Sequence, residues 1–128
     1  MYEQIERWLN DTLKDGIPDE IVAFNFNLYE DFHPDRDKCW SMELVGTNSF
    51  NEDDEDWACD EVYDFGTREN PFSWTENTEW DIILDKIVQI LNRYMMNGLY
   101  ADILKQYDGI GVGFVDGNIE ILYTKQQS

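Results

Sequence analysis

The chain carries one histidine, His33, and two cysteines, Cys39 and Cys59. Cys–His nucleophilic catalysis needs a thiol beside a base and a third group to orient that base. Cys39 follows His33 by six residues, but no orienting group accompanies the pair, and no G-x-S-x-G motif supports a serine nucleophile. A lone histidine in the polar stretch ahead of Pro34 is expected at the surface. Zinc would need more Cys and His than the chain has. An EF-hand loop fails as well, because Ala58 stands where a third ligand should follow Asp54 and Asp56, and the sharp-turn glycine is missing. Gly109-Ile110-Gly111-Val112-Gly113 reads as strand, with no following Lys-Ser/Thr to make a phosphate loop. A carboxylate pair for glycoside hydrolysis depends on spatial separation, and 28 acids give it no discriminating value. These residues assign no catalytic group, no metal site and no cofactor, so the expectation is a protein that is not an enzyme.

The chemistry that the sequence does concentrate is negative charge. Glu52, Asp53, Asp54, Glu55 and Asp56 run without a break into Trp57, and Asp60, Glu61 and Asp64 follow. Between Cys39 and Asp85 fourteen acids stand against one base, Arg68, a net −13 of the chain's −19. Charge packed so densely repels itself and works against folding, so binding to a basic partner is the simplest reason for it. Trp57 and Trp74 fall outside the periodic stripes that account for Trp8 and Trp80. Tryptophan is enriched at binding hot spots, where it stacks on arginine. The expected partner-binding set is therefore Glu52, Asp53, Asp54, Glu55, Asp56, Trp57, Asp60, Glu61, Asp64 and Trp74, with Asn25 and Asn27 offering hydrogen bonds from an open strand face.

A charge of −19 argues against nucleic acid and anionic membrane as partners, since both are polyanions. Aromatic content of 15% and hydrophobic content of 42% separate the chain from disordered acidic tails and supply a core for one domain, residues 1–128. Glu3 and Glu6 interrupt any apolar leader, and no 18-residue apolar segment occurs. Two cysteines are fewer than a secreted scaffold of this size carries, so both are expected as buried thiols of a cytoplasmic protein.

Elements that position the acids follow from periodicity. Ile5, Trp8, Leu9 and Leu13 lie on one face of a helix over 2–14, stopped by Gly16 and Pro18. Val22, Phe24, Phe26 and Leu28 alternate with Ala23, Asn25, Asn27 and Tyr29, which predicts a strand over 21–29. A second strand is expected over 39–45 and a weaker third over 57–65, with turns over 66–77. Thr78, with Asp81 three residues on, predicts the cap of a long helix whose stripe is Trp80, Ile83, Leu84, Ile87, Ile90, Leu91 and Tyr94. Gly98 ends it, and a short helix follows over 99–106.

Asp116-Gly117 predicts a two-residue type I′ turn with Phe114 facing Ile119, Val112 facing Ile121 and Ile110 facing Tyr123. Gly111 and Gly113 leave one face of that strand bare, as a packed helix would require. The order of helix, strands, helices and hairpin gives an α+β fold, a mostly antiparallel sheet with helices packed on one face and a C-terminal β-hairpin.

The stretches FNEDDEDWACDEVYDF (Phe50 to Phe65), VAFNFNLYE (Val22 to Glu30) and GIGVGFVDGNIEILY (Gly109 to Tyr123) resemble the small acidic immunity proteins of bacterial polymorphic-toxin and contact-dependent-inhibition systems. The resemblance implies a cytoplasmic, non-catalytic α+β protein that neutralises one cognate toxin, often a nuclease. It transfers no residue position by position. Two other readings stand beside it: a DNA mimic that binds a host DNA-binding protein, and a domain whose acidic loop is only solvated surface.

Overall fold

The computed structural model of the chain describes residues 1–31 and 37–125. The expectation for His33 falls outside them. Among the described residues, period-two segments make β1 (Ala23–Asp31) and β2 (Cys39–Thr47), followed by the short β3 (Glu61–Tyr63) and β4 (Phe72–Thr75) and the closing β5 (Gly109–Phe114) and β6 (Glu120–Thr124). Helix α1 (Tyr2–Leu13) precedes them, and α2 (Trp80–Asn97) and α3 (Ala101–Leu104) separate β4 from β5. The strands form one sheet in the order β3-β2-β1-β5-β6, with β4 also paired to β2. All pairs are antiparallel except β1 with β5, which run parallel through Phe24↔Ile110 and Phe26↔Val112. The fold is α+β with a mostly antiparallel sheet and a C-terminal hairpin, as expected.

Alternation divides the sheet into two faces. Phe24, Phe26 and Leu28 share theirs with Trp40, Met42 and Leu44 of β2 and with Ile110 and Val112 of β5. Ile5, Leu9 and Leu13 of α1 and Ile83, Ile87, Leu91 and Tyr94 of α2 complete this core, all at most 2% exposed. Both amphipathic helices therefore pack on one face, because each has a single apolar stripe to bury. Gly16, at φ 94°, takes the left-handed conformation that ends α1.

Several local expectations differ. Thr78 does not cap α2; Glu79 holds that position without a side-chain bond. The segment 57–65 is mostly not strand: Glu55–Cys59 is a 3₁₀ turn, and only three residues pair with β2. A strand, β4, lies inside 66–77, where Pro71 and the polar Ser73 and Thr75 hide its alternation. Between the stretches of β2 paired to β3 and to β4, the Thr67 hydroxyl takes a strand's place. It accepts from Leu44 N at 2.8 Å and reaches Leu44 O at 2.9 Å, so the ladder leaves no orphan there. In the hairpin, Ile110 pairs with Tyr123 as expected, but a bulge then sets Gly111 against Ile121 and Val112 against Glu120. The tight turn runs from Phe114 to Gly117, closed by Gly117 N to Phe114 O at 2.9 Å, not around Asp116-Gly117 alone. Cys39 is half-buried and Cys59 exposed, both free thiols, because Cys59 ends the surface 3₁₀ turn. Among the described residues no helix is long and apolar enough to cross a membrane.

Candidate acidic binding face

The face of the sheet away from the helices holds Asn25, Asn27 and Tyr29 of β1, Glu43 of β2, and Gly109, Gly111 and Gly113 of β5. Among the described residues no α-helix covers the glycines. The acidic segment does: Phe50 packs where a Cβ at Gly109 would stand, and Trp57 with Ile119 packs at Gly111. Phe50 and Trp57 meet edge to face with centroids 4.9 Å apart. Side chains at those glycines would evict these rings, so the bare strand is the seat of the loop.

Trp57 is consequently 3% exposed, a core residue of this second face and not a docking indole. Its burial leaves the neighbouring carboxylates outside: Glu52 to Asp56, Cys59 and Asp60 are exposed. The run is held in shape by its own side chains. Asn51 Oδ1 accepts from Asp53 N at 2.9 Å, Asp54 Oδ1 accepts from Asp56 N at 3.0 Å, and Ser49 donates to Asp60 at 2.6 Å. A Glu55 carboxylate oxygen accepts from Ile119 N and ties the loop to the hairpin. Ion pairs among the described residues engage Asp11, Glu43, Glu61, Glu76 and Glu79, and none engages Glu52 to Asp56.

The remaining expected residues divide. Glu61 lies beside the run, but its carboxylate is paired with Arg68 at 2.7 Å. Asp64 is half-buried and accepts from Gly66 N in the turn after β3. Trp74 pairs across β2 with Trp40, so it lies on the helix face, half-buried against Phe72 and separated from the run by the sheet. Its indole N–H is buried without a partner. The acids at Asp81 and Asp85 are exposed on α2, on the opposite layer. The continuous acidic belt from Glu52 to Asp85 is thus cut in two by the sheet.

The exposed indole is Trp80, 56% accessible, which its place in the α2 stripe had marked as core. Trp80 opens the helix, and its ring meets Phe114 at 6.1 Å, a ring that in turn rests on buried Trp40. Val115 at 49% and Ile82 at 54% extend the apolar surface. A cleft of about 580 Å³ runs between Trp80, Phe114, Val115 and Glu30. On the other flank of the same hairpin tip, a cavity of about 340 Å³ lies between Asn25, Asn27, Gly113 and the carboxylates Glu55 and Asp56. The tip from Phe114 to Gly117 joins the two. The sequence did carry a signal for Trp80: the first residue of a helix has only one side supported by the stripe.

Beneath the acidic run lies a directed polar ladder. Glu43, 3% exposed, accepts from Asn27 Nδ2 at 2.9 Å, Tyr29 OH at 2.7 Å and Arg68 Nη2 at 3.2 Å. Burial pushes the Glu43 carboxyl up, but these donors, Arg68 first, outweigh it and hold the group below its ordinary value. An ionised carboxylate only accepts, so Asn27 turns its amide nitrogen to Glu43 and its oxygen to Asn25. Asn25 Nδ2 donates to that oxygen at 2.7 Å. The Asn25 carbonyl oxygen, at the end of the ladder, is buried with no donor.

Among the described residues no three His, Cys, Asp or Glu side chains converge to hold a metal ion. What the face can do is attract and desolvate cationic groups. Comparison with known proteins finds no matching family model, no matching curated protein and no matching solved structure.

Proposed function

We propose that the protein is a non-catalytic cytoplasmic inhibitor that binds a basic protein, a toxin-immunity protein whose cognate toxin is a nuclease. The observation that carries this reading is the fixed display of Glu52 to Asp56, exposed and, among the described residues, without an ion-pair partner, on a loop pinned by Trp57. A preorganised carboxylate array loses little entropy on binding and steers a cationic surface towards it. Carboxylates standing in for phosphates would occupy the surface with which a nuclease holds its substrate. Trp80, with Phe114 and Val115, takes the anchoring part first expected of Trp57 and Trp74.

A basic nuclease domain is the partner to test. Its affinity should fall more than tenfold between about 0.1 M and about 1 M salt, as the Debye length shrinks from roughly 10 Å to roughly 3 Å. Changing Glu52, Asp53 and Asp54 to their amides should slow association while dissociation changes little. Affinity indifferent to both changes removes the proposal. Trp80→Ala should weaken binding by roughly tenfold or more with the melting temperature unchanged, since truncated hot-spot aromatics cost about 2 kcal/mol or more. A DNA mimic is the second reading, favoured by the exposed Asp81 and Asp85 on the far layer. A mimic would feel amide changes on α2 as strongly as those in the run, and would tolerate loss of the indole.

A further inference from the structure

We propose that the cavity between the acidic turn and the hairpin is a socket for a guanidinium group, the side chain of an arginine on the basic partner. The inference rests on the function proposed above and names the chemistry its central contact would take. The cavity, about 340 Å³, is lined by Asn25, Asn27, Glu55, Asp56, Gly113 and Ile119 among others, and among the described residues no cationic side chain stands in its wall. Glu55 and Asp56 supply negative charge at the mouth, and Glu55 is already positioned by its bond from Ile119 N.

An acidic rim alone would attract any cation. The floor narrows the choice. Asn25 is 2% exposed, and its carbonyl oxygen is an acceptor without a donor. Its orientation is imposed from a distance by Glu43, since turning the amide over would set two oxygens or two nitrogens face to face along the ladder. A buried acceptor left unpaired is costly, and a donor from a ligand removes that cost. One group must then satisfy a neutral acceptor at depth and carboxylates above it at the same time. The planar fork of arginine carries five donors for such an arrangement, while a lysine ammonium concentrates its three at one point. Access is tight, because the Ile119 Cγ2 methyl and the Asn25 oxygen both lie within 2.9 Å of the position a Gly111 Cβ would take. Ile119 is half-buried and Trp57 Cζ2 lies 3.0 Å from the same position, so a ligand must displace the Ile119 methyl to reach the oxygen. Gly113 lets the hairpin backbone close against this wall, since a Cβ there would stand 2.5 Å from Asn118 O.

The experiment is a titration of the isotope-labelled protein with N-acetyl-arginine amide, and with N-acetyl-lysine amide, followed by amide resonances. The arginine compound should perturb the Asn25 and Asn27 side-chain amides together with Gly113, Ile119 and 55–59, and should bind roughly tenfold tighter than the lysine compound. Combined Glu55→Gln and Asp56→Asn should reduce its affinity by roughly tenfold or more, and Asn25→Val should abolish the preference for arginine. If Asn25→Val does not fold, the surface pair still decides. Equal response to both compounds, spread along 52–56 and unchanged in the variants, overturns the socket. A toxin domain that binds in a salt-dependent way beside such a result leaves the acidic face standing. An arginine compound that seats while no basic protein binds upholds the socket and removes the partner.

Discussion

Trp57→Ala should lower the stability of the protein by about 3–5 kcal/mol, the range for truncating a large buried aromatic. The indole is 3% exposed, stacks on Phe50, and fills the space that the missing Cβ of Gly111 leaves open. Its removal leaves a void on the sheet face opposite α1 and α2, so relaxation recovers little. In urea unfolding the midpoint should drop by about 1–5 M, given slopes of roughly 1–3 kcal/mol per molar for small domains. A docking tryptophan would behave in the opposite way, with stability untouched and partner affinity lost. An unchanged midpoint would place Trp57 at the surface and contradict the packing described here.

The second large effect concerns Glu43. Glu43→Ala should cost about 2–3 kcal/mol, because Asn27 and Tyr29 each lose an acceptor in a half-buried position. Arg68 is half-exposed and keeps Glu61, so its share is small. The pH dependence separates this from simple loss of packing. Glu43 is held below its ordinary 4.5, so its contribution is complete above about that pH and is lost as the pH falls through the depressed titration. Tyr29 is pushed up to about 12, by burial first and by its bond to Glu43 second. Its phenol stays protonated in the folded chain while an unfolded tyrosine ionises near 10.0, so stability declines between about 10 and about 12. The stability gap between the parent and Glu43→Gln, followed by denaturant titration, should therefore narrow in acid below about pH 4.5. A gap that stays constant there would mean that charge on Glu43 contributes nothing.

Much of the frame was legible because each long element repeats one period. The stripe Ile83, Ile87, Leu91 and Tyr94 and the alternation of Phe24, Phe26 and Leu28 are local patterns, and both faces came out as written. The hairpin itself was legible, but its turn runs from Phe114 to Gly117, and the bulge at Ile110 and Gly111, where Ile119 packs from the far face, shifts the register in a way no local pattern records. In the candidate face, the exposure of the charges was legible and the burial of the aromatics was not. Trp57 and the glycines of β5 are distant in sequence and explain each other only in space. Without that contact, a tryptophan outside any periodic stripe reads as exposed, and Trp80 inside one reads as buried. Each tryptophan occupies the opposite environment. Thr67, which mends the ladder at Leu44, gave no advance sign because a single buried hydroxyl has no periodicity.

The parallel pairing of β1 with β5 also bears on how the chain can be made. Phe24 finds Ile110 only after all of α2 and α3 has been synthesised, so the middle of the sheet closes across a long stretch of chain. Such non-local pairing raises contact order and slows folding. Until β5 leaves the ribosome, one edge of β1 is unpaired and the platform for Phe50 and Trp57 does not exist. The carboxylates of 52–56 then ride on an untethered segment, so a nascent chain would carry the charge of the finished molecule without its binding geometry. Recognition of the proposed partner should begin only after translation has passed the hairpin.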